Sequence, residues 1–153
     1  MDAEEKQPRL YTIGFTQKKA EVFFNLLRKS GVKKIIDVRL SNDSQLAGFA
    51  KRDDLRFFLK EICLCDYEHR PNWAPTKDLL DGFIKTKTIT WNEYEIRFIR
   101  LMQDRNALAN LELAAVEDSC LLCSEPTPEH CHRRLVAEQI KIKFPNIRII
   151  HLK

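Results

Sequence analysis

The apolar positions of this chain alternate between two spacings, short continuous runs and stripes at helical intervals. Leu10-Tyr11-Thr12-Ile13 is a short apolar run that stops at Gly14 and reads as a strand. Ala20, Phe23, Phe24 and Leu27 then fall on one helical face. Thr16 is placed to cap that helix, and Gly31 suits the position just past its end. Ile35-Ile36-Asp37-Val38-Arg39 is nearly continuous, the pattern of a strand covered on both faces. Asp53 to Ile62 reads as a helix and Cys65 to His69 as a third strand, while Pro71, Trp73 and Pro75 make Arg70 to Thr76 irregular. Helices are predicted near Lys77 to Lys85 and from Asn92 to about Leu113. Cys120-Leu121-Leu122-Cys123 is a fourth strand. Thr127 and Pro128 look like a cap and first residue of a last helix that runs to Phe144, and Ile147 to Leu152 closes the series as a strand.

Strands alternating with helices predict an α/β fold: one three-layer domain over 1–153 with a mostly parallel, roughly five-stranded sheet, Rossmann-like and doubly wound. Residues 1–9 read as a flexible lead. In such sheets ligands bind at the carboxyl ends of the strands, so the residues that follow each strand are the ones to inspect.

Composition narrows the partners. The 153 residues carry 26 Lys and Arg against 22 Asp and Glu, a net charge of +4, with the basic residues scattered. That balance permits a nucleic-acid partner without requiring one. No apolar stretch approaches the roughly 20 residues of a membrane span, and Met1 to Arg9 is polar and charged. The expectation is a cytoplasmic protein with no membrane partner. Five cysteines in a reducing compartment read as buried, metal-binding or reactive thiols.

The candidate chemistry gathers after the strands. Gly14 ends the first and allows close backbone approach to a ligand. Asp37 and Arg39 end the second on one face. The fourth runs into Cys123, Glu125, Cys131, His132 and Arg133. At a helix start, a thiol is favoured as thiolate and an anion is attracted, so Arg39 and Arg133 are candidate forks for a phosphate or carboxylate. Asp37, Cys123, Glu125, Cys131 and His132 are the candidate catalytic groups. Gly14, Arg39, Gln45, Lys51, His69 and Arg133 are the candidate ligand-binding ones, with Phe49 in the same loop as Gln45 and Lys51. No cofactor and no metal are expected. Zinc is the competing idea, drawn from Cys120-x-x-Cys123 with His130, Cys131 and His132. Strand alternation puts Cys120 and Cys123 on opposite faces, which argues against it; were zinc held, Cys123, Cys131 and His132 would be the leading ligands. Tyr67, His69 and Trp73 are candidates to stack a ring. Trp91, Tyr94 and Phe98 fall at core spacing, and Cys63, Cys65 and Cys120 are expected in the core.

The motifs Tyr11-Thr12-Ile13-Gly14, Asp37-Val38-Arg39, Ser44 to Phe49, Trp73 to Thr76, and Leu121-Leu122-Cys123 with Glu125 and Cys131-His132-Arg133 resemble the domain of unknown function 488 family. The resemblance covers nearly the whole chain. It implies an α/β fold, a bacterial or archaeal cytoplasmic protein, and signature positions at Asp37, Arg39, Cys123, Glu125, Cys131, His132 and Arg133. It implies little about activity. Many members carry histidine after the first-strand glycine, where this chain has Phe15. The leading expectation is an enzyme acting on an anionic small molecule or nucleotide. The alternatives are a nucleic-acid-binding or nucleic-acid-processing module, or a ligand-binding domain without catalysis.

Overall fold

A computed structural model describes residues 6–43 and 48–153. Five strands, β1 (Arg9–Gly14), β2 (Lys34–Asp37), β3 (Asp66–His69), β4 (Ser119–Cys123) and β5 (Arg148–His151), form one sheet in the order β3-β2-β4-β1-β5. Every pairing is parallel, with Ile36 opposite Leu121 and Gly14 opposite Cys123. The helices are α1 (Ala20–Ser30), α2 (Arg52–Cys63), α3 (Lys77–Ile84), α4 (Trp91–Asp104) and α5 (His132–Lys143).

Successive strand residues point to opposite faces, and two cores follow from that. Tyr11, Ile13, Ile35, Cys120 and Leu122 pack with Phe23, Phe24 and Leu27 of α1 and Leu55 and Leu59 of α2. Leu10, Ile36, Leu121 and Cys123 pack on the other face with residues of α3, α4 and α5, among them Tyr94, Phe98 and Leu135. Three layers result, as the alternation predicted. Cys120 and Cys123 lie in different cores, also as predicted.

The strand order explains where a site forms. From β1 the chain steps through α1 to β2 and through α2 to β3, always toward one edge. It returns through α3 and α4 to β4 and through α5 to β5, stepping the other way. With right-handed crossovers, reversing direction moves the helices to the opposite face. Thus β4, inserted between β1 and β2, exits to one face while both neighbours exit to the other. A crevice opens at the carboxyl end of β4, where Cys123 sits.

Several boundaries differ from expectation. Arg9 is the first residue of β1 and pairs with Arg148, so it is not part of a flexible lead, and residues 1–5 of that expected lead lie outside the described residues. Thr16 does not cap α1; Lys19 occupies that position without a side-chain bond, and the Thr16 amide donates instead to the Ser124 carbonyl at 3.1 Å. Gly31 ends α1 as expected, at φ 74°. The fourth helix stops at Asp104 because Asn106 turns left-handed at φ 50°; Leu113–Ala115 is a separate 3-10 turn. The last helix starts at His132, four residues after Pro128. Arg134 holds the Pro128 and Glu129 carbonyls at 3.2 and 3.0 Å, and Cys131 stays extended as the residue before the helix. The Thr127-Pro128 start is therefore overturned.

Gly14 is required by the chain itself. A Cβ there would lie 1.6 Å from the Glu125 carbonyl oxygen and 3.1 Å from Arg133 Nη1. The close approach made possible at Gly14 is to this loop, which corrects the reading of Gly14 as a ligand contact. Gly14→Ala is expected to cost about 3 kcal/mol or more, measured by urea unfolding; unchanged stability would contradict this packing.

Candidate functional site

Cys123 ends β4, Cys131 precedes α5, and His132 opens it. Their ligand atoms lie within 4.8 Å of one another, and all three residues are buried from solvent. Cys123 Sγ is 3.6 Å from His132 Nδ1, and His132 Nε2 is 2.6 Å from the Val38 carbonyl oxygen. A carbonyl only accepts, so Nε2 carries a proton and donates it. Nδ1 is then the ring atom that faces the sulfurs. Phe98, 5.6 Å from the imidazole, closes its other side.

The electrostatics are asymmetric. A hydrogen bond from the Cys131 thiol, with His132 and Arg133 beside it, holds the Cys123 thiol well below its usual range despite burial. Burial and the neighbouring Cys123 charge push Cys131 well above its own. Burial pulls His132 down, but Cys123 outweighs it and the net direction is up. Burial and Cys123 raise Glu125. Arg133 is wholly buried and has no carboxylate partner among the described residues. Its Nη1 donates to the Glu125 carbonyl at 2.6 Å and its Nε to Thr12 Oγ1 at 3.4 Å, while Nη2 has no partner among the described residues. A buried cation so placed favours negative charge at Cys123.

A cavity of about 600 Å³ opens over this cluster. Cys123, Glu125, Cys131 and His132 line it with Arg39. Its walls are mainly apolar, from Leu80, Phe83 and Ile84 of α3 and Tyr94 of α4, with His130 at one side. Trp91 stacks on His130 at 5.0 Å and on Tyr94 at 5.2 Å, which stiffens that wall. Lys77 and Lys85 also line it, yet both are held by Asp81, at 2.6 and 3.6 Å. No hydrogen bond to the Glu125 carboxylate occurs among the described residues.

Of the candidate catalytic and ligand-binding residues, five meet in this cavity: Cys123, Glu125, Cys131, His132 and Arg39. Asp37 does not line it. Its carboxylate is fully buried, accepting from Arg39 N, Nε and Nη2 at 3.1, 2.9 and 2.8 Å and from the Tyr67 hydroxyl at 2.5 Å. With both oxygens occupied, Asp37 positions Arg39, and the expected proton carrier becomes a structural anchor. Arg39 is half committed: Nη1 has no partner among the described residues. Arg133 lies beneath the cluster outside the lining, so the two arginines do not fork together into the cavity. His69 Nε2 meets the Arg39 carbonyl at 2.8 Å and faces a separate cavity with Trp73. Lys51 precedes α2 away from the cavity, and Phe49 packs against Phe23 at 5.3 Å. Gln45 lies outside the described residues. Trp73 is 1% exposed and donates from its indole to the Ala107 carbonyl, so it offers no face to a base, and the Tyr67 hydroxyl is spent on Asp37.

The α3 wall carries no distinct mark in the sequence. Leu80, Phe83 and Ile84 sit at helical spacing and read as ordinary core. Only the turn of α3 across the end of β4 makes them a cavity wall. His130, in sequence only a zinc candidate, lines the cavity.

The fold and the cluster define a parallel α/β domain with a cysteine–histidine centre at its switch strand. The chain belongs to the family described as domain of unknown function DUF488, whose model matches residues 19–140. Comparison with the curated proteins found no match, and neither did comparison with the solved structures. No helix among the described residues is long and apolar enough to cross a membrane.

Asp37→Asn breaks a buried, bidentate pair and leaves Arg39 uncompensated. It is expected to lower stability by about 3–5 kcal/mol, read by urea unfolding; a loss near zero would mean that Asp37 does not anchor Arg39.

Proposed function

We propose that the protein is an enzyme acting on an anionic small molecule or nucleotide bound in the cavity over Cys123, Cys131 and His132. The observation that carries this reading is the cavity itself. It joins an apolar wall of substrate size, a half-committed buried guanidinium and a sulfur–imidazole cluster at the switch strand. Arg39 Nη1 is the donor for the anionic group, and a charge-assisted bond there satisfies an otherwise orphaned buried polar atom. The α3 wall and Tyr94 take the apolar or planar part of the molecule. Glu125 is the lining carboxylate whose oxygens are not tied up among the described residues, since Asp81 is bound by two lysines; this makes Glu125 the proton carrier. The reaction centres on the sulfurs, oriented through His132 by the Val38 carbonyl.

Calorimetry of the full chain with inorganic phosphate and with a nucleoside monophosphate tests binding. Ile84→Trp fills the cavity from an exposed position, so binding should weaken at least tenfold while the melting temperature stays put. No binding of either probe, or binding indifferent to Ile84→Trp, would overturn the site. Catalysis is tested with a panel of phosphate and carboxylate esters, where Glu125→Gln should cut turnover about 100-fold or more. Turnover unaltered by that change would remove Glu125 from the reaction.

A further inference from the structure

Cys123, Cys131 and His132 present two sulfurs and one ring nitrogen to a common point. In a tetrahedral zinc centre, Zn–S bonds near 2.3 Å and Zn–N bonds near 2.0–2.1 Å put neighbouring ligand atoms about 3.6–3.8 Å apart. The observed separation of Cys123 Sγ from His132 Nδ1 is 3.6 Å, and the whole set falls within 4.8 Å. Small side-chain movements therefore suffice to close a centre.

The surroundings carry the argument further. A histidine that ligates through one nitrogen characteristically donates its other N–H to a carbonyl or carboxylate, which fixes the tautomer. His132 Nε2 does this with the Val38 carbonyl at 2.6 Å. Its ring is thus held with Nδ1 toward both sulfurs. Thiolate and imidazole together suit zinc better than the hard cations. Three protein ligands with an open position mark a catalytic centre, whereas a structural one closes the fourth position. All three residues line the cavity, so that position faces it.

We infer that Cys123 Sγ, Cys131 Sγ and His132 Nδ1 hold one zinc ion whose fourth position opens to the cavity and takes water or an anionic substrate group. The thiols release their protons to solvent as the ion binds. Two thiolates neutralise the ion, and buried Arg133 beneath them with Arg39 alongside favours an anion as the fourth ligand. The ion supplies Lewis-acid polarisation at that point, and Glu125 stands beside it on the cavity wall. This assignment reverses the expectation that no metal is bound. The objection from strand alternation applies to Cys120 alone, which lies in the opposite core.

The inference rests on the cavity being the reaction site, but its test is separate. The full chain is purified without chelator or affinity metal and its elemental content measured. One zinc per chain is expected, retained in Cys120→Ser and lost in Cys123→Ser and Cys131→Ser, with circular dichroism checking each fold. Cobalt(II) added to the metal-free wild type should give a thiolate-to-cobalt absorption in the near ultraviolet and the strong visible bands of a tetrahedral ion. A folded wild type that retains no zinc and shows no such cobalt spectrum overturns the inference. So does zinc content unaffected by Cys123→Ser and Cys131→Ser. Zinc present with no anion binding leaves the inference standing and overturns the enzyme reading instead.

Discussion

The site depends on one hydrogen bond, from Arg133 Nη1 to the Glu125 carbonyl at 2.6 Å. It pulls the loop after β4 back over the end of β1, into space that only a glycine at position 14 leaves open. The Thr16 amide ties the same loop through Ser124. Because the loop returns so tightly, the residue that precedes α5 comes back against the residue that ends β4, and Cys131 meets Cys123. Without that fold-back, seven residues of chain would separate two unrelated thiols.

A second constraint works from the β2 side. Asp37 spends its whole carboxylate on Arg39 and Tyr67, at full burial, and so fixes the first residues past the strand. Two backbone carbonyls in that segment become instruments. Val38 orients His132, and Arg39 is held in turn by His69. The buried pair is costly to desolvate and so is poor evidence of stability by itself. Its value lies in leaving one guanidinium nitrogen beside the cavity and one carbonyl aimed at the imidazole.

Much of this was legible in the chain. Parallel strands buried on both faces leave continuous apolar runs, which is why Ile35 to Val38 and Cys120 to Cys123 could be placed, and the carboxyl-end rule then led to Cys123, Glu125, Cys131 and His132. Helix starts were harder to place. Thr127-Pro128 carries a good capping pattern, but Arg134 and the fold-back of Cys131 override it by tertiary contacts that no local pattern records. The division of labour among charged groups was also hidden. Asp37 and Arg133 sit in the right neighbourhood, and only burial and bonding show them to be anchors, leaving Arg39 and Glu125 to face the cavity. The α3 wall left no mark distinct from core periodicity.

The central claim is that Cys123 and Cys131 face a ligand-accessible cavity while Cys120, three residues from Cys123 on the same strand, faces a closed core. Iodoacetamide labelling of the folded chain, mapped cysteine by cysteine by peptide mass spectrometry with and without prior chelation, tests it most directly. The account predicts that chelation exposes Cys123 and Cys131 to labelling while Cys120 stays protected until the chain unfolds. Labelling of Cys120 together with Cys123, or Cys123 and Cys131 as well protected as Cys120 in the chelated, folded chain, would contradict it.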